Sequence, residues 1–374
     1  SEPSNPWVSG VSGLFTVEFY QRVRGYLGDR GVFGQWLHLY EINDELVLSV
    51  LAALHRTFPW YQVFLVSGAD MLIVASMDPL PAPDWSIFRL PRVEEGLCTS
   101  VPFTPRMLEA TRLANQQALG PLLDRWGTIN SDFYPALDLG AEQTRYLGLT
   151  ANGFNRLSSD RLDLAGLIED RRSLPTEETV SPVPAIPRTE ALATAALLRD
   201  PRRFTAMDTV VTDEALAGAI DLVSQWRGTL ASGQPPTNWR IWLEAMGDVE
   251  ARVAGGTSGV ADQAFYADAR RYLDRFKAPA GVRDAVEFRR ALAAWDFSAA
   301  AEAGERLSQA ALQKTSWIPP DEVMDGLVMA RIKSGDPAGA DRALRALAPL
   351  SRQAPESLRL LLLTSYVLQA TSHP

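Results

Sequence analysis

Hydrophobic residues in the first 77 positions alternate between helical and strand spacing. Phe19, Val23 and Leu27 recur every four residues after Thr16, a residue type that often caps helix N-termini. This pattern predicts a helix that begins at Thr16. A short apolar run at 31–37, bounded by glycine, predicts a buried strand.

The next segment predicts a second helix and a hairpin. Asn43 or Asp44 is expected to cap the helix. Two runs rich in β-forming residues, 61–66 and 71–75, are separated by the short glycine-containing loop 67–70, which is typical of a hairpin. Because a helix lies between the first two strands, we expect a parallel crossover of the doubly wound α/β type, with the hairpin as an antiparallel edge.

The rest of the chain predicts connectors and helices. Four prolines within 78–94 indicate a connector, and a helix is expected from about Pro105 to Asp124. Prolines cluster again in 172–188, with few large apolar residues, and this is the clearest boundary in the chain.

Beyond residue 188 the sequence is alanine-rich and helical. The segment 296–307 resembles the segment 336–347, which begins 40 residues later, within the range of helix-pair repeats. We therefore expect an all-α, TPR-like domain, with an irregular helical bundle as the alternative. The predicted division is 1–140, 141–188 as a connector, and 189–374.

Composition and charge exclude several classes of function. The net charge of -9 argues against a nucleic-acid partner, which needs clustered basic residues. The single cysteine, Cys98, allows no internal disulfide, and with three scattered histidines we expect no metal site. His38 and His55 are interpreted as a surface residue and a helix-face residue. No apolar run reaches the length of a membrane span, so we expect the chain to be soluble and cytoplasmic.

The first thirteen residues are the richest candidate for chemistry. Pro3 and Pro6 restrict the backbone, while Glu2, Ser4 and Asn5 supply polar groups. Trp7 adds an aromatic wall. In open α/β sheets, ligands bind at loops of this kind, beyond the carboxyl ends of strands. A rigid surface turn is the alternative interpretation.

This loop also carries a family resemblance. Residues 1–7, followed by 13–20, resemble the post-strand loop and helix of spermidine synthase-like proteins. The likeness continues through 31–40 and the hairpin, and it ends near 129–135. It is strongest with long bacterial members, in which a membrane-embedded N-terminal region precedes this domain. Because the chain starts at Ser1 without a methionine, we interpret it as the C-terminal part of such a protein, whose upstream region would anchor it in the inner membrane.

The resemblance implies a fold and a reaction. The fold is that of S-adenosylmethionine-dependent methyltransferases. The reaction transfers an aminopropyl group from decarboxylated S-adenosylmethionine, the co-substrate, to a diamine such as putrescine. The glycine-rich loop that binds the nucleotide in the family has no counterpart in these 374 residues. We therefore expect the chain alone to be inactive and to bind the nucleotide poorly.

The resemblance also implies roles for individual residues. The family loop carries two aspartates that bind and deprotonate the amine; Glu2 stands at the first position and Asn5 at the second. An amide cannot accept a proton, so Glu2 is the candidate catalytic base. The candidate substrate-binding residues are Asn5, Gln35, Trp36 and Tyr40. Core packing is the favoured alternative for Trp36, and Tyr40 could instead only cap its strand.

The last segment of the resemblance implies a structural motif. The first domain and the helical half also imply binding partners. Asn130, Asp132 and Pro135 form the segment that closes the family's domain. The expected partners are a diamine, a protein bound by the helical half, and a second copy of the chain in a homodimer. Two other functions stay open: a non-catalytic helical-repeat interaction protein, or a methyltransferase-like protein with altered activity, since Asn5 replaces an acid.

Overall fold

The computed structural model describes residues 1–372 except 4, 9, 29, 101–104, 160, 172–213, 255–259 and 355. The chain forms two compact units, Ser1–Ser158 and Ser159–Pro374, so the division falls inside the segment 141–188 that was predicted as a connector. The proline-rich stretch 172–188 and the loop residue Ser4 lie outside the described residues. The first unit is mixed α/β, and the described part of the second is helical.

The first unit has a four-stranded sheet surrounded by short helices. The strands are β1 (Val32–His38), β2 (Trp60–Ser67), β3 (Asp70–Ser76) and β4 (Arg112–Asn115). The helices are α1 (Val17–Tyr26), α2 (Asp44–His55), α3 (Pro91–Ser100), α4 (Pro105–Thr111), α5 (Gln116–Leu123), α6 (Ala136–Tyr146) and α7 (Asn152–Ser159).

The first two helices begin where their capping residues predict. The Phe19 amide donates to Thr16 Oγ1 at 3.2 Å, and the Leu46 amide donates to Asn43 Oδ1 at 3.0 Å. Each bond satisfies an amide that has no partner inside its own helix. The Asn43 cap is therefore the one the structure uses.

The sheet order is β1-β3-β2-β4, and every neighbouring pair is antiparallel. Because β1 and β2 both run opposite to the β3 strand between them, they are parallel to each other and are joined through α2. The predicted strands and hairpin are confirmed. The expectation that the hairpin forms an edge is wrong, because β3 bonds to β1 on one side and β2 bonds to β4 on the other.

The β4 strand corrects a second expectation. The predicted helix from Pro105 to Asp124 is two helices, α4 and α5, separated by the four-residue strand β4. Leu113 and Ala114 are buried in this strand, which pairs with β2. Asn115 ends it and caps α5, since its Oδ1 accepts the amide of Gln117 at 2.8 Å.

The core of the first unit lies between one face of the sheet and α2. Residues at alternate positions of each long strand are buried, as period-two side-chain alternation requires. The Phe33 and Phe58 rings stack at 5.9 Å, and the buried Tyr20 contacts both edge-on. This cluster holds α1 and β1 in place beneath the candidate loop.

The second unit consists of helices in the part of the chain that the structure describes. After α8 (Leu164–Ile168) they are α9 (Glu214–Ala231), α10 (Trp239–Ala254), α11 (Val260–Arg275), α12 (Ala280–Ala293), α13 (Phe297–Leu312), α14 (Pro320–Lys333), α15 (Pro337–Leu347) and α16 (Leu358–Ser372). Consecutive helices from α11 to α16 pack against each other.

The two similar segments of the sequence have the same local structure. Asp296 caps α13 by accepting the Ala299 amide at 3.1 Å, and Asp336 caps α15 by accepting the Gly339 amide at 2.8 Å. Each aspartate therefore marks a turn followed by the second helix of a pair. Among the described residues, no helix has both the length and the apolar surface needed to cross a bilayer.

Candidate functional site

The candidate loop begins beside the edge strand β1. The Ser1 amino group donates to the Gly34 carbonyl oxygen at 2.7 Å, and the Trp36 amide donates to the Ser1 carbonyl oxygen at 2.9 Å. Two bonds that flank one residue, here Gln35, are the pattern of neighbouring parallel strands. The chain therefore leaves the sheet edge after Ser1, near the carboxyl end of β1.

Tyr40 ties this loop to the end of β1. Its hydroxyl donates to Asn5 Oδ1 at 3.2 Å, and its ring lies edge-on to Trp7 with centroids 6.0 Å apart. The other side of Trp7 receives Arg145, whose guanidinium carbon is 5.3 Å from the ring centroid. Asn5, Trp7 and Tyr40 thus form one cluster.

The Tyr40 phenol stays protonated at neutral pH. Burial raises the pKa of Tyr40, the carboxylates of Asp70 and Glu41 raise it further, and the bond to Asn5 lowers it. A neutral phenol can donate one hydrogen bond and accept others. The two carboxylates near it make this end of the sheet favourable for a cation.

The Gln35 side chain lies beside Ser1, the first residue of the loop. Its side chain is fully buried, and its Nε2 donates to the Trp36 carbonyl oxygen at 3.2 Å and lies 3.5 Å from Ser1 Oγ. Its Oε1 is buried and has no partner among the described residues. Because buried acceptors are normally hydrogen-bonded, this oxygen is free to accept from a ligand N–H group.

Trp36 points away from Gln35. Successive strand residues face opposite sides of a sheet, and β1 alternates buried with partly exposed positions along its length. Trp36 is half-buried on the face opposite Gln35. The structure therefore does not bring these two predicted substrate-binding residues together on one face.

His38 lies in the same cluster, although the sequence indicated only a surface residue. Its Nδ1 lies 2.6 Å from Asp70 Oδ1, and Asp70 Oδ2 accepts the Ser67 hydroxyl at 2.9 Å. The imidazole centroid is 4.9 Å from that of Tyr40. In the neutral ring, a proton on Nδ1 bonded to Asp70 leaves the lone pair on Nε2, the arrangement of a general base. A histidine opposite an aspartate on neighbouring strands would have indicated this pair, but it can be recognised only when the β1–β3 register is known.

Glu2 follows the bridging Ser1 and is exposed. It makes no hydrogen bond or ion pair with the described residues. An unpaired carboxylate can bind a cationic amine or accept its proton. Glu2 keeps that capacity. The side-chain oxygen of Asn5, the other loop residue aligned with an aspartate by the resemblance, accepts the hydrogen bond from Tyr40.

The closing motif supports the loop from below. Asn130 is fully buried; its Nδ2 donates to the carbonyl oxygens of Ser12 at 3.3 Å and Phe15 at 3.0 Å, while its Oδ1 accepts the Leu137 amide at 3.1 Å. The short 3₁₀ turn Val11–Phe15, at the end of the candidate loop, is thus fixed by one amide side chain.

The other two residues of that motif act differently. Asp132 contributes its backbone amide, which donates to Glu18 Oε2 at 2.9 Å, while its side chain is exposed. Pro135 immediately precedes α6. The support for the loop therefore comes from Asn130.

The second unit contains a charge cluster that the sequence did not predict, in which Arg289 and Glu250 are buried while the Glu322 and Arg161 side chains are 20% and 29% exposed. Arg289 Nε donates to Glu322 Oε1 at 2.6 Å and its Nη2 donates to Oε2 at 3.0 Å, which is a bidentate pair. Arg161 Nη1 donates to the same carboxylate at 2.8 Å. The Tyr266 hydroxyl donates to Glu250 Oε1 at 2.5 Å, and Arg289 lies 3.6 Å from that carboxyl.

The protonation of the two carboxyls differs. Burial acts to raise the pKa of Glu322, but the guanidiniums of Arg289 and Arg161 bring it below its usual range. Burial raises the pKa of Glu250 despite the nearby arginines. Glu322 is therefore the ionised partner of both arginines.

The candidate site is therefore identified from its geometry and from the sequence resemblance. No family model, no curated protein and no solved structure matches the chain.

Proposed function

We propose that residues 1–158 form the amine-binding part of a spermidine synthase-like transferase, within a partial methyltransferase-like sheet. The proposed reaction moves an aminopropyl group from decarboxylated S-adenosylmethionine to a diamine such as putrescine. The observation that carries the proposal is the Asn5–Tyr40 bond, because it seats the loop that resembles the family's substrate loop at the carboxyl end of β1. β1 and β2 run parallel and are joined through α2, as in a βαβ unit, but the antiparallel strand β3 lies between them, so the sheet lends the proposal only limited support.

The proposed chemistry is a nucleophilic substitution at carbon. The amine nitrogen of the acceptor attacks the aminopropyl carbon bound to the sulfonium, the carbon–sulfur bond breaks, and its electron pair stays on sulfur to give methylthioadenosine. The amine can attack only after it has lost a proton, so a base is required near the loop. Glu2 is the proposed base, and His38 Nε2 is the second group in this cluster that can accept a proton.

The remaining residues of the cluster suit a cationic acceptor with an apolar middle. Trp7 offers a ring face beside the hydrocarbon chain, and the Tyr40 hydroxyl with Asn5 offers polar contacts. Asp70 and Glu41 lie close enough to act on Tyr40, and they partly replace the negative charge that Asn5 lacks. The neutral Asn5 therefore does not prevent binding of an ammonium group.

Replacing Glu2 by Gln tests this proposal. We expect the dissociation constant for putrescine, measured by NMR titration of the full chain, to rise about tenfold, because a charge-assisted contact worth about 1.5 kcal/mol is lost. Glu142→Gln is the matched control, since Glu142 is an exposed carboxylate on α6. Equal affinities in the two variants would contradict the role of Glu2.

A helical interaction domain is a second candidate function, and one observation favours it. The second unit holds a cavity of about 530 Å³ lined by charged side chains and one tryptophan, Trp317. Stacked helix pairs commonly present such surfaces to peptides or other domains. This function concerns the second unit and is compatible with amine binding by the first.

A further inference from the structure

The cavity in the second unit has the size of a ligand site. Its volume of about 530 Å³ lies within the usual range for small-molecule pockets, roughly 300–1,000 Å³. One wall is the α10 helix, the opposite wall is the α13–α14 connection, and the segment after α15 contributes Leu350 and Arg352. Arg161, Arg289 and Glu322 of the charge cluster also line it.

Three basic side chains at this cavity lack carboxylate partners. Arg240, Lys314 and Arg352 are exposed, and none forms an ion pair with the described residues. Arg240 Nη2 donates to the Ser316 carbonyl oxygen at 3.1 Å, which directs its guanidinium along the wall. In a chain of net charge -9, a group of unpaired cations is a local reversal of the overall charge.

Acidic residues at the cavity do not cancel this positive charge. The lining contains five basic residues and three acidic ones, and one of the three, Glu322, is already bound by two arginines. The other two, Glu244 and Asp248, lie one turn apart on α10. Outside that ion-paired group the lining has three basic residues and two acidic ones, so its remaining charge is net positive and favours an anion.

Arg161 is a lining residue with a donor that has no partner among the described residues. This donor is the buried Nε. Its guanidinium lies against the backbone of α10 at Gly247, in a space that a β-carbon would fill. A buried donor without a partner is costly, so an acceptor supplied by a ligand would be stabilised here.

The cavity also has a fixed apolar side. The Trp317 ring packs over Gly281 of α12, where an added β-carbon would come within 2.5 Å of Trp317 Cδ1. Leu243 and Ile318 are buried beside it. A ligand that fills the cavity would therefore meet both cationic side chains and an indole with aliphatic groups.

We propose that this cavity binds an organic anion, with its carboxylate or phosphate group held by Lys314, Arg352 and Arg240 and its apolar part against Trp317. The Arg161 Nε–H supplies a further bond to the acidic group. A free metabolite and an acidic peptide share this chemistry, and the experiment separates them. The inference is independent of the amine site of the first unit.

The test is calorimetric titration of the full chain with three probes: inorganic phosphate, citrate, and the acetylated peptide Leu-Asp-Leu-Glu. We expect at least one organic probe to bind with a dissociation constant below about 1 mM at low salt, and more weakly as salt is raised. Tighter binding of citrate indicates a small-molecule ligand, and tighter binding of the peptide indicates a protein segment. Failure of all three probes to bind overturns the proposal.

Charge reversal locates the binding. The double variant Lys314→Glu/Arg352→Glu should weaken the organic probe at least about tenfold, since two charge-assisted contacts become repulsive. Arg342→Glu is the control, because Arg342 is exposed on α15 and does not line the cavity. All three side chains are exposed, so the fold should be retained, and circular dichroism checks this. An equal loss in both variants, or no loss in either, would place binding elsewhere and refute the site.

Discussion

Replacing Glu322 by Gln is expected to lower the local free energy of unfolding of the helical unit by about 3–5 kcal/mol. The Arg289 side chain is only 4% exposed and would keep its charge after losing its bidentate partner. Glu250, 3.6 Å away, replaces that partner poorly because burial raises its pKa and favours its neutral form. Hydrogen exchange of α12 and α14 amides, followed by mass spectrometry, should accelerate about a hundredfold or more.

The pH dependence of this effect has a defined sign. The folded-state pKa of Glu322 is lowered by Arg289 and Arg161, so its stabilisation is complete above the ordinary glutamate pKa of about 4.3 and is lost as the pH falls through the folded-state value. The difference between the wild type and Glu322→Gln should therefore shrink below about pH 4. Burial raises the pKa of Glu250 in the wild type, so protonation of Glu250 at low pH stabilises the folded state, whereas protonation of Glu322 destabilises it.

A surface pair provides the control for Glu322. Glu305 accepts from Arg331 Nη2 at 2.5 Å, but the two side chains are 42% and 30% exposed. Glu305→Gln should change the free energy of unfolding derived from the same exchange rates by less than about 1 kcal/mol, because solvent screens exposed pairs. Similar effects of the two substitutions would mean that the Glu322 cluster is not buried as described.

Replacing Phe288 by Ala is expected to cost about 3–5 kcal/mol in the same unit. Phe288 is fully buried on α12, and its ring fills the space above Gly304 of α13 and Gly326 of α14. A β-carbon at Gly304 would lie 2.9 Å from Phe288 Cε2, and one at Gly326 would lie 2.5 Å from Cζ. The three helices thus approach closely because the glycines accommodate one aromatic ring.

This packing predicts that the effect of one substitution depends on Phe288. Gly326→Ala should destabilise the wild type by about 1–2 kcal/mol, since overpacking outweighs the gain in helix propensity. In the Phe288→Ala background the same change should cost less, because the ring is gone and only Leu292 Cδ1, 2.6 Å from the added β-carbon, has to shift. Gly228→Ala on α9, where a β-carbon meets no atom within 4 Å, should stabilise by up to about 1 kcal/mol. An equal destabilisation by Gly326→Ala in both backgrounds would contradict this account.

Local structure followed from local sequence signals. The caps at Thr16 and Asn43 depend on residues three positions apart, and the hairpin of β2 and β3 depends on alternation around a short loop. The β4 strand did not follow, because the run 112–115 is too short for a periodic pattern and lies between helix-forming segments. The central position of β3 depends on pairing between distant strands, which no local pattern contains.

The candidate site was predictable to the same extent. Asn5 and Tyr40 were expected at one site, and the structure joins them by a hydrogen bond. The His38–Asp70 pair was missed because the two residues meet only across the β1–β3 register. The Arg289–Glu322 pair was missed for a similar reason, since its members lie on different helices, 33 positions apart.

The central claim is that the first unit binds the amine acceptor, while the nucleotide-binding loop of the family has no counterpart in these residues. Calorimetric titration of the full chain with putrescine, decarboxylated S-adenosylmethionine and methylthioadenosine tests this most directly. The account predicts saturable heat with putrescine, abolished in Tyr40→Phe/Glu2→Gln, and none with the two nucleosides. Micromolar binding of either nucleoside, together with no heat from putrescine, would contradict it.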